Sequence, residues 1–343
     1  MEKRQIESLL PGEIETWLED LGEKKFRAGQ IFTWLGRGVE SFAEMTNISK
    51  DLREQLEKNF VLVNLQCLNK QVSQIDGTVK YLWAYEDDNS VETVLLHQDY
   101  GNTLCISTQI GCRMGCTFCA SALGGFVRNL TAAEILAQIK AVQKDAKVAI
   151  SNIVFMGMGE PLDNFEAVLR FLTLVNHPAG RNIGMRHITL STSGLIEKID
   201  KLSTYHLQLN LAVSLHAADD ETRSQIMPVN RAGGIAPLLE ACKRYFGQTG
   251  RRVSFEYAMI QGLNDSPKDA RNLAKHMLAV GGHVNLIPLN AVKERSHQAS
   301  EKSRLDSFYK ILQEKGVTVT IRQRKGQDID AACGQLRRKQ TQA

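Results

Sequence analysis

The sequence predicts an α/β fold: a partial β/α barrel of six or so parallel strands, preceded by an N-terminal helical module and a small β extension. Three observations carry that prediction. After about residue 100, short apolar, β-branched runs alternate with amphipathic helical stretches, as in a parallel sheet buried beneath helices. Residues 1–60 repeat their apolar positions at helical spacing, and residues 61–98 change to an alternating pattern.

The elements follow in order. Ile6, Leu9, Leu10, Ile14, Trp17 and Leu18 mark a first helical face, Phe26, Ile31, Phe32, Trp34 and Leu35 a second, and Leu52, Leu56 and Phe60 a third. Residues 61–98 alternate around Asp76-Gly77, which predicts a hairpin or small meander. Strands are then expected at 104–108, 152–157, 187–192, 209–216, 253–260, 283–290 and 317–323. Helices such as 131–143 and 266–278 lie between them, the first opened by a Thr131/Glu134 capping box. The expected organisation is a helical accessory module (1–60), a β extension or linker (61–98) and a barrel core (99–343), with a frayed basic tail. Function in such barrels gathers at the C-terminal ends of the strands.

Composition narrows the class. With 43% hydrophobic and 23% charged residues in 343, disordered, collagen-like and coiled-coil architectures are excluded. No run of about 18 uncharged apolar residues occurs, so no membrane span is expected. The first twenty residues lack an apolar signal core, and a cytoplasmic protein is expected. The net charge of +4, from 42 basic and 38 acidic residues, leaves nucleic-acid binding to local patches.

Chemistry concentrates in the cysteines. Three of the seven fall in GCRMGCTFCA as Cys112, Cys116 and Cys119, just after the first barrel strand. Thiolates at this spacing on a tight loop can hold three irons of a cubane cluster and leave the fourth iron open. A structural zinc site would need a fourth ligand, usually in a second knuckle, and none is spaced for it. Cys67 and Cys242 read as small buried hydrophobes. By position alone, Cys105 is as readily a strand residue as a reactive one, and Cys333 in AACG reads first as an unreactive loop cysteine. Glu92 reads first as a solvated edge carboxylate.

The motifs extend beyond these cysteines. CxxxCxxC after the first strand of a β/α barrel resembles the radical S-adenosylmethionine superfamily. The segments ETVLLHQDYGNTLCISTQIGCRMGCTFCASALGGFVRNLTAAEI, FMGMGEPLDN, HITLSTSGL, LAVSLHA, RSQIMPVNR, FEYAMIQGLNDS, HVNLIPLN and DIDAACGQLR, in collinear order, resemble the RlmN/Cfr family of RNA methyltransferases. The N-terminal GEKKFRAGQIFTWLGRGVESFAEMTNISKDLREQL is similar to that family's helical module, a candidate for RNA recognition.

The resemblance implies one [4Fe–4S] cluster on Cys112, Cys116 and Cys119 and two S-adenosylmethionine molecules per turnover. One methylates a protein cysteine; the second yields a 5′-deoxyadenosyl radical that abstracts hydrogen from the S-methyl group. The resulting methylene radical adds to the base as a protein–RNA adduct, which a second cysteine resolves with formation of a disulfide. Such chemistry suits an adenine carbon without a lone pair, which ordinary methyl displacement cannot reach. Cys333 matches the methyl-carrying cysteine, Cys105 the resolving cysteine and Glu92 the proton acceptor. Gly159 and Glu160 in MGMGEP, Ser191, the run Ser214, Leu215 and His216, and Asn290 match cofactor-binding positions. From position alone, MGMGEP is a strand-to-helix turn. The implied substrate is an adenosine of the peptidyl-transferase centre of 23S rRNA, nucleotide 2503. Carbon 2 is the expected site, with carbon 2 of adenosine 37 in tRNA as second substrate, and carbon 8 of the same rRNA adenosine as the alternative. An external electron donor such as flavodoxin and a monomer are expected. A methylthiotransferase lacks support, because no further cysteines are spaced for a second cluster; a non-catalytic RNA-binding protein with a structural metal site is the remote alternative.

Basic residues at Lys24, Lys25, Arg27, Arg251, Arg252, Arg322, Arg324, Lys325, Arg337 and Arg338 are candidate phosphate contacts only if the fold gathers them on one surface. Trp17, Trp34 and Phe26 read first as core packing rather than base-stacking residues.

Overall fold

The structure, a computed structural model, describes residues 3–337. Arg338 and the rest of the expected frayed tail lie outside the described residues. The N-terminal module comprises β1 (Arg4–Gln5), α1 (Pro11–Asp20), α2 (Phe26–Arg37), α3 (Lys50–Asn59) and β2 (Phe60–Val61). The first helical face is interrupted: Ile6–Ser8 form a separate 3-10 turn, and Pro11 opens α1. Proline lacks the N–H a helix interior needs but suits its first position. Phe26 is 57% exposed at the start of α2, with the Arg27 guanidinium over its ring, so it does not pack in the core. Trp17 and Trp34 are half-buried against the core, as their spacing predicts.

The β extension forms β3 (Gln66–Val72), β4 (Val79–Ala84) and β5 (Ser90–Gln98), with the β3–β4 hairpin turning around Asp76-Gly77. Its strands are not set apart from the barrel. β5 runs antiparallel into β6 (Gly101–Cys105), pairing Gln98 with Gly101 across a tight turn. This pairing places the first barrel strand earlier than 104–108, so Cys105 ends the strand instead of starting it.

The cysteine loop is bracketed by a second, short hairpin of β7 (Gln109–Gly111) and β8 (Phe126–Asn129), which the sequence pattern did not reveal. The remaining units are α4 (Ala132–Ala146), β9 (Asn152–Phe155), α5 (Phe165–Asn176), β10 (Ile188–Thr192), α6 (Ile196–Ser203), β11 (Asn210–Ser214), α7 (Asp220–Ile226), α8 (Ile235–Thr249), β12 (Ser254–Met259), α9 (Pro267–Val280), β13 (His283–Pro288), α10 (Lys302–Glu314) and β14 (Thr318–Ile321). The Thr131/Glu134 capping box is present: the Thr131 hydroxyl accepts from the Glu134 N–H and the carboxylate accepts from the Thr131 N–H.

Among the described residues, β6 and β9–β14 pair in sequence order as parallel neighbours, and β3–β5 continue the same sheet antiparallel, giving ten strands. Stepwise order with helical crossovers is a singly wound, barrel-like arrangement, and the sheet remains open between β14 and β3. The chain after β14 crosses towards the β3–β5 end: Asp328 accepts from the Ser73 hydroxyl, Asp76 from the Gly326 N–H, and Lys80 donates to the Asp330 carbonyl. That crossing segment carries Cys333. One apolar core runs from Ile6 to Leu336 and joins the helical module to the barrel. Fully buried members such as Phe155 and Phe171, in edge-to-face contact at 5.4 Å, each gain roughly 1.5–3 kcal/mol from burial. The buried Lys140–Glu7 pair, 3.3 Å apart, fixes α4 to the chain ahead of α1.

Candidate active site

A cavity of about 970 Å³, including its open mouth, occupies the C-terminal ends of the parallel strands. Cys112, Cys116 and Cys119 line it together with Gly159, Glu160, Ser191, Ser214, His216, Asn290 and Cys333.

The cysteine loop is shaped by its stem. Gly111 has φ +75, and a Cβ there would lie 1.7 Å from the Gly125 carbonyl oxygen, so no other residue fits. The Cys112 N–H donates to that same oxygen at 3.2 Å, and the Cys119 N–H donates to the Cys116 carbonyl at 3.2 Å. The Thr117 N–H reaches the Ile226 carbonyl on α7, and Arg295 donates to the Cys119 carbonyl. Burial pushes the Cys112 thiol up to about 12 and raises Cys116 further, with the neighbouring thiols adding to both. Thiols held in this way release protons when they bind iron.

The MGMGEP turn lies against the loop's base. Gly159 has φ +99, and a Cβ would meet the Gln109 side chain at 2.6 Å. Glu160 is buried; its carboxylate accepts from the N–H groups of Ser193 (2.7 Å) and Leu162 (3.1 Å). Burial raises its pKa and these bonds oppose the rise.

His216, two residues past the end of β11, lies in the left-handed region (φ 55), a sparsely populated conformation that functional sites tend to hold. Its Nδ1 accepts from the Ala258 N–H at 2.9 Å, and Phe118 meets the ring edge-on. Burial, with Arg223 second, pushes its pKa down to about 3, so the ring is neutral with its proton on Nε2. Leu215 does not join the cavity wall. Its side chain is in the core, its N–H donates to the Glu256 carbonyl and its own carbonyl accepts from Arg223.

Cys105 and Cys333 share one space beside the first cavity. Both line a second space of about 850 Å³, which adjoins the first at Met156, Ile287, Asn290 and Cys333. Burial pushes the Cys105 thiol well up, and Cys333 is its next electrostatic influence. Cys333 presents an exposed face, yet the surrounding walls desolvate its sulfur and raise its pKa while Arg322 opposes. Its carbonyl accepts from Asn290 Nδ2 at 3.2 Å. The Ala120 N–H donates to the Gly334 carbonyl (2.7 Å) and the Ser121 hydroxyl to the Leu336 carbonyl, tying this loop to the cysteine loop.

Two expectations are corrected here. Glu92 is buried at 1% exposure rather than solvated: it pairs with buried Lys80 at 3.4 Å and accepts the Arg337 N–H at 2.9 Å, and it does not line either space. Cys67 is exposed on β3, whereas Cys242 is buried in α8 as expected.

The sequence reading passed over Glu256. This carboxylate sits in the middle of β12, buried on the cavity wall; Oε1 accepts from Asn285 and Arg322, while buried Oε2 has no partner among the described residues. A charged residue inside an otherwise apolar strand, FEYAMI, was the available signal.

Comparison with known proteins bears directly on this arrangement. The Radical SAM superfamily profile matches residues 106–274, and that of the ribosomal RNA large subunit methyltransferase N-terminal domain matches residues 8–62. A probable dual-specificity RNA methyltransferase RlmN of Bacillus subtilis (strain 168) is 51% identical over 345 residues, covering 99% of this chain and 95% of its own length. Its counterpart in Alkaliphilus oremlandii is 50% identical, with both chains covered completely. The chain belongs to the RlmN family of radical SAM RNA methyltransferases. The crystal structure of a radical SAM methyltransferase from Sphaerobacter thermophilus superposes with a TM-score of 0.92 at 42% identity, covering 97% of this chain and 99% of that one.

Radical SAM membership brings a [4Fe–4S] cluster and S-adenosylmethionine as cofactors. The residues present fit both. Cys112, Cys116 and Cys119 line one cavity, as three ligands of one cluster must. The partnerless Glu256 Oε2, buried on the wall, is a polar atom awaiting a donor.

Proposed function

We propose that this RlmN-family enzyme methylates carbon 2 of an adenosine in the peptidyl-transferase centre of 23S rRNA, nucleotide 2503, and carbon 2 of adenosine 37 in tRNA. The observation that carries the mechanism is the pair Cys333 and Cys105 on one wall, next to the cavity lined by Cys112, Cys116 and Cys119. The reading of two RNA substrates is supported by the dual-specificity RlmN relatives that span the whole chain, and the choice of carbon 2 follows the motif resemblance.

Cys112, Cys116 and Cys119 are the iron ligands. Gly159 and Glu160 receive the amino group of S-adenosylmethionine, Ser191, Ser214, His216 and Asn290 hold the rest, and Leu215 contributes only by its backbone. When bound, the cofactors supply a methyl group and a hydrogen-abstracting radical. Cys333 carries the methyl group to the base and forms the adduct. Cys105 attacks the Cys333 sulfur: the S–S bond forms as the bond from that sulfur to the methylene carbon breaks, and the electron pair left on the carbon takes up a proton to give the methyl product; both cysteines line the same space. Glu92 is the proton acceptor of the family pattern; its bond to the Arg337 N–H lets it also anchor the Cys333 loop. The protein acts as a cytoplasmic monomer, reduced by an external donor such as flavodoxin, and residues 1–60 serve RNA recognition. Among the described residues no helix is long and apolar enough to cross a membrane.

The Cys105→Ala variant tests the assignment of the two cysteines. Incubated anaerobically with S-adenosylmethionine, reductant and rRNA, it should accumulate RNA covalently bound to protein on denaturing gels, with the link mapped to Cys333. Free methylated RNA at the wild-type rate would remove Cys105 from the mechanism.

A further inference from the structure

The RSQIMPVNR stretch takes no part in the function proposed above, yet it holds a large and fully buried side chain. Arg223, on α7, is 1% exposed. Its Nε donates to the Leu215 carbonyl at 3.0 Å, its Nη2 to the carbonyls of Ser193 (2.8 Å) and Ser214 (3.0 Å), and its Nη1 to Asn230 Oδ1 (2.7 Å). A planar guanidinium is the one side chain whose rigid fork can serve four such acceptors at once.

The positions of those acceptors matter. Ser193 follows the end of β10, and Ser214 and Leu215 stand at the end of β11; Ser193, Ser214 and the adjoining His216 line the cavity. Ser193 is also bound through its N–H to Glu160 Oε2, so the same network reaches the MGMGEP turn. Asn230 is fixed in turn by donating to Asp220 Oδ1 and Ser224 Oγ, and Asp220 Oδ1 accepts the Ile235 N–H that opens α8. One cation thus locks two strand ends of the cofactor cavity to each other and to the helices behind them.

Its charge requires a second account. All four acceptors are neutral, and an isolated buried cation is costly. Burial works against that charge, and the Asp220 carboxylate, which accepts from the same Asn230, is among the groups that oppose the effect of burial. Helix α7 is bonded to the cysteine loop as well, through the Ile226 carbonyl and the Thr117 N–H at 2.9 Å.

We propose that Arg223 is a positioning residue for S-adenosylmethionine, holding the ends of β10 and β11 in the form that receives it. The proposal rests on the cofactor assignment and is independent of which RNA carbon is methylated.

Arg223→Lys and Asn230→Ala test that role. Both variants and the wild type are reconstituted anaerobically. S-Adenosylmethionine binding is measured by equilibrium dialysis on the oxidised, cluster-loaded proteins, and the cluster midpoint potential by an EPR-monitored titration. Lysine keeps the charge but lacks the fork. Arg223→Lys should therefore bind S-adenosylmethionine about tenfold or more weakly, the equivalent of losing one charged hydrogen bond, with a potential near wild type. Asn230→Ala frees Nη1 with the charge retained and should weaken binding in the same direction, again at unchanged potential. Wild-type affinity in folded Arg223→Lys and Asn230→Ala would overturn the positioning role, as would weakened binding accompanied by a shifted potential, which marks a general disturbance of the cluster site. Tight cofactor binding by a wild-type protein that makes no methylated adenosine would instead overturn the proposed function and leave Arg223 untouched.

Discussion

At the residue scale, His216 shows how the fold sets chemistry that the sequence leaves open. An imidazole with an ordinary pKa would titrate near neutrality; this one is held neutral by burial and by Arg223, with its pKa near 3. Its folded value lies below the unfolded one, so its contribution to stability is complete above about pH 6.5 and is lost as the pH falls towards 3. Apoprotein melts between pH 7 and 4 should show a steeper loss in wild type than in His216→Asn, a difference on the order of a few kcal/mol. Parallel pH profiles would contradict it. The loop cysteines make a separate prediction. Cys119→Ala should fold, since Cys119 is only partly buried, but should not retain the broad charge-transfer absorbance of a [4Fe–4S] cluster after reconstitution. A full wild-type spectrum would remove Cys119 from the ligand set.

At the element scale, the Cys333 loop depends on strands far away in sequence. Lys80 on β4 donates to the Asp330 carbonyl, and Glu92 on β5 accepts the Arg337 N–H, so this buried pair grips the loop on both sides of Cys333. Removing one member of a buried pair typically costs about 3–5 kcal/mol. Lys80→Met should therefore lower the melting temperature and slow RNA methylation while leaving the reconstituted cluster spectrum intact. An unchanged methylation rate would show that the grip does not position Cys333. Element existence was legible in the sequence because strand and helix periodicities differ: the six barrel strands after the first, the Asp76-Gly77 hairpin and the Thr131 capping box stand in the expected places, and the first barrel strand exists but is shifted towards the N-terminus. What escaped depends on tertiary pairing. The true end of β6 follows from its register with β5, the β7–β8 stem from a Gly111–Gly125 contact, and the burial of Glu92 from a loop more than two hundred residues later. Phe26 and Cys67 face outward because their own elements turn that side to solvent, which the spacing of apolar residues alone did not distinguish.

At the scale of the whole molecule, an open sheet is completed by its own C-terminal segment. The crossing from β14 towards β3–β5 brings Cys333 beside Cys105 and against the cysteine loop, so residues 105, 112–119 and 333 share one active region only in the folded barrel. The helical module shares the barrel's core, which fixes its relation to the cavity at the strand ends. The candidate site was legible where a motif carried it, as with Cys112, Cys116, Cys119, Gly159 and Glu160. It was not legible for Glu256 and Arg223, whose importance comes from the neighbours that folding supplies. The most direct test is nucleoside mass spectrometry on unmodified 23S rRNA and tRNA treated with reconstituted, reduced enzyme and labelled S-adenosylmethionine. The account predicts labelled 2-methyladenosine in both RNAs with wild-type protein and in neither with cluster-loaded Cys333→Ala; 8-methyladenosine, or no methylated adenosine from protein with an intact cluster, would contradict it.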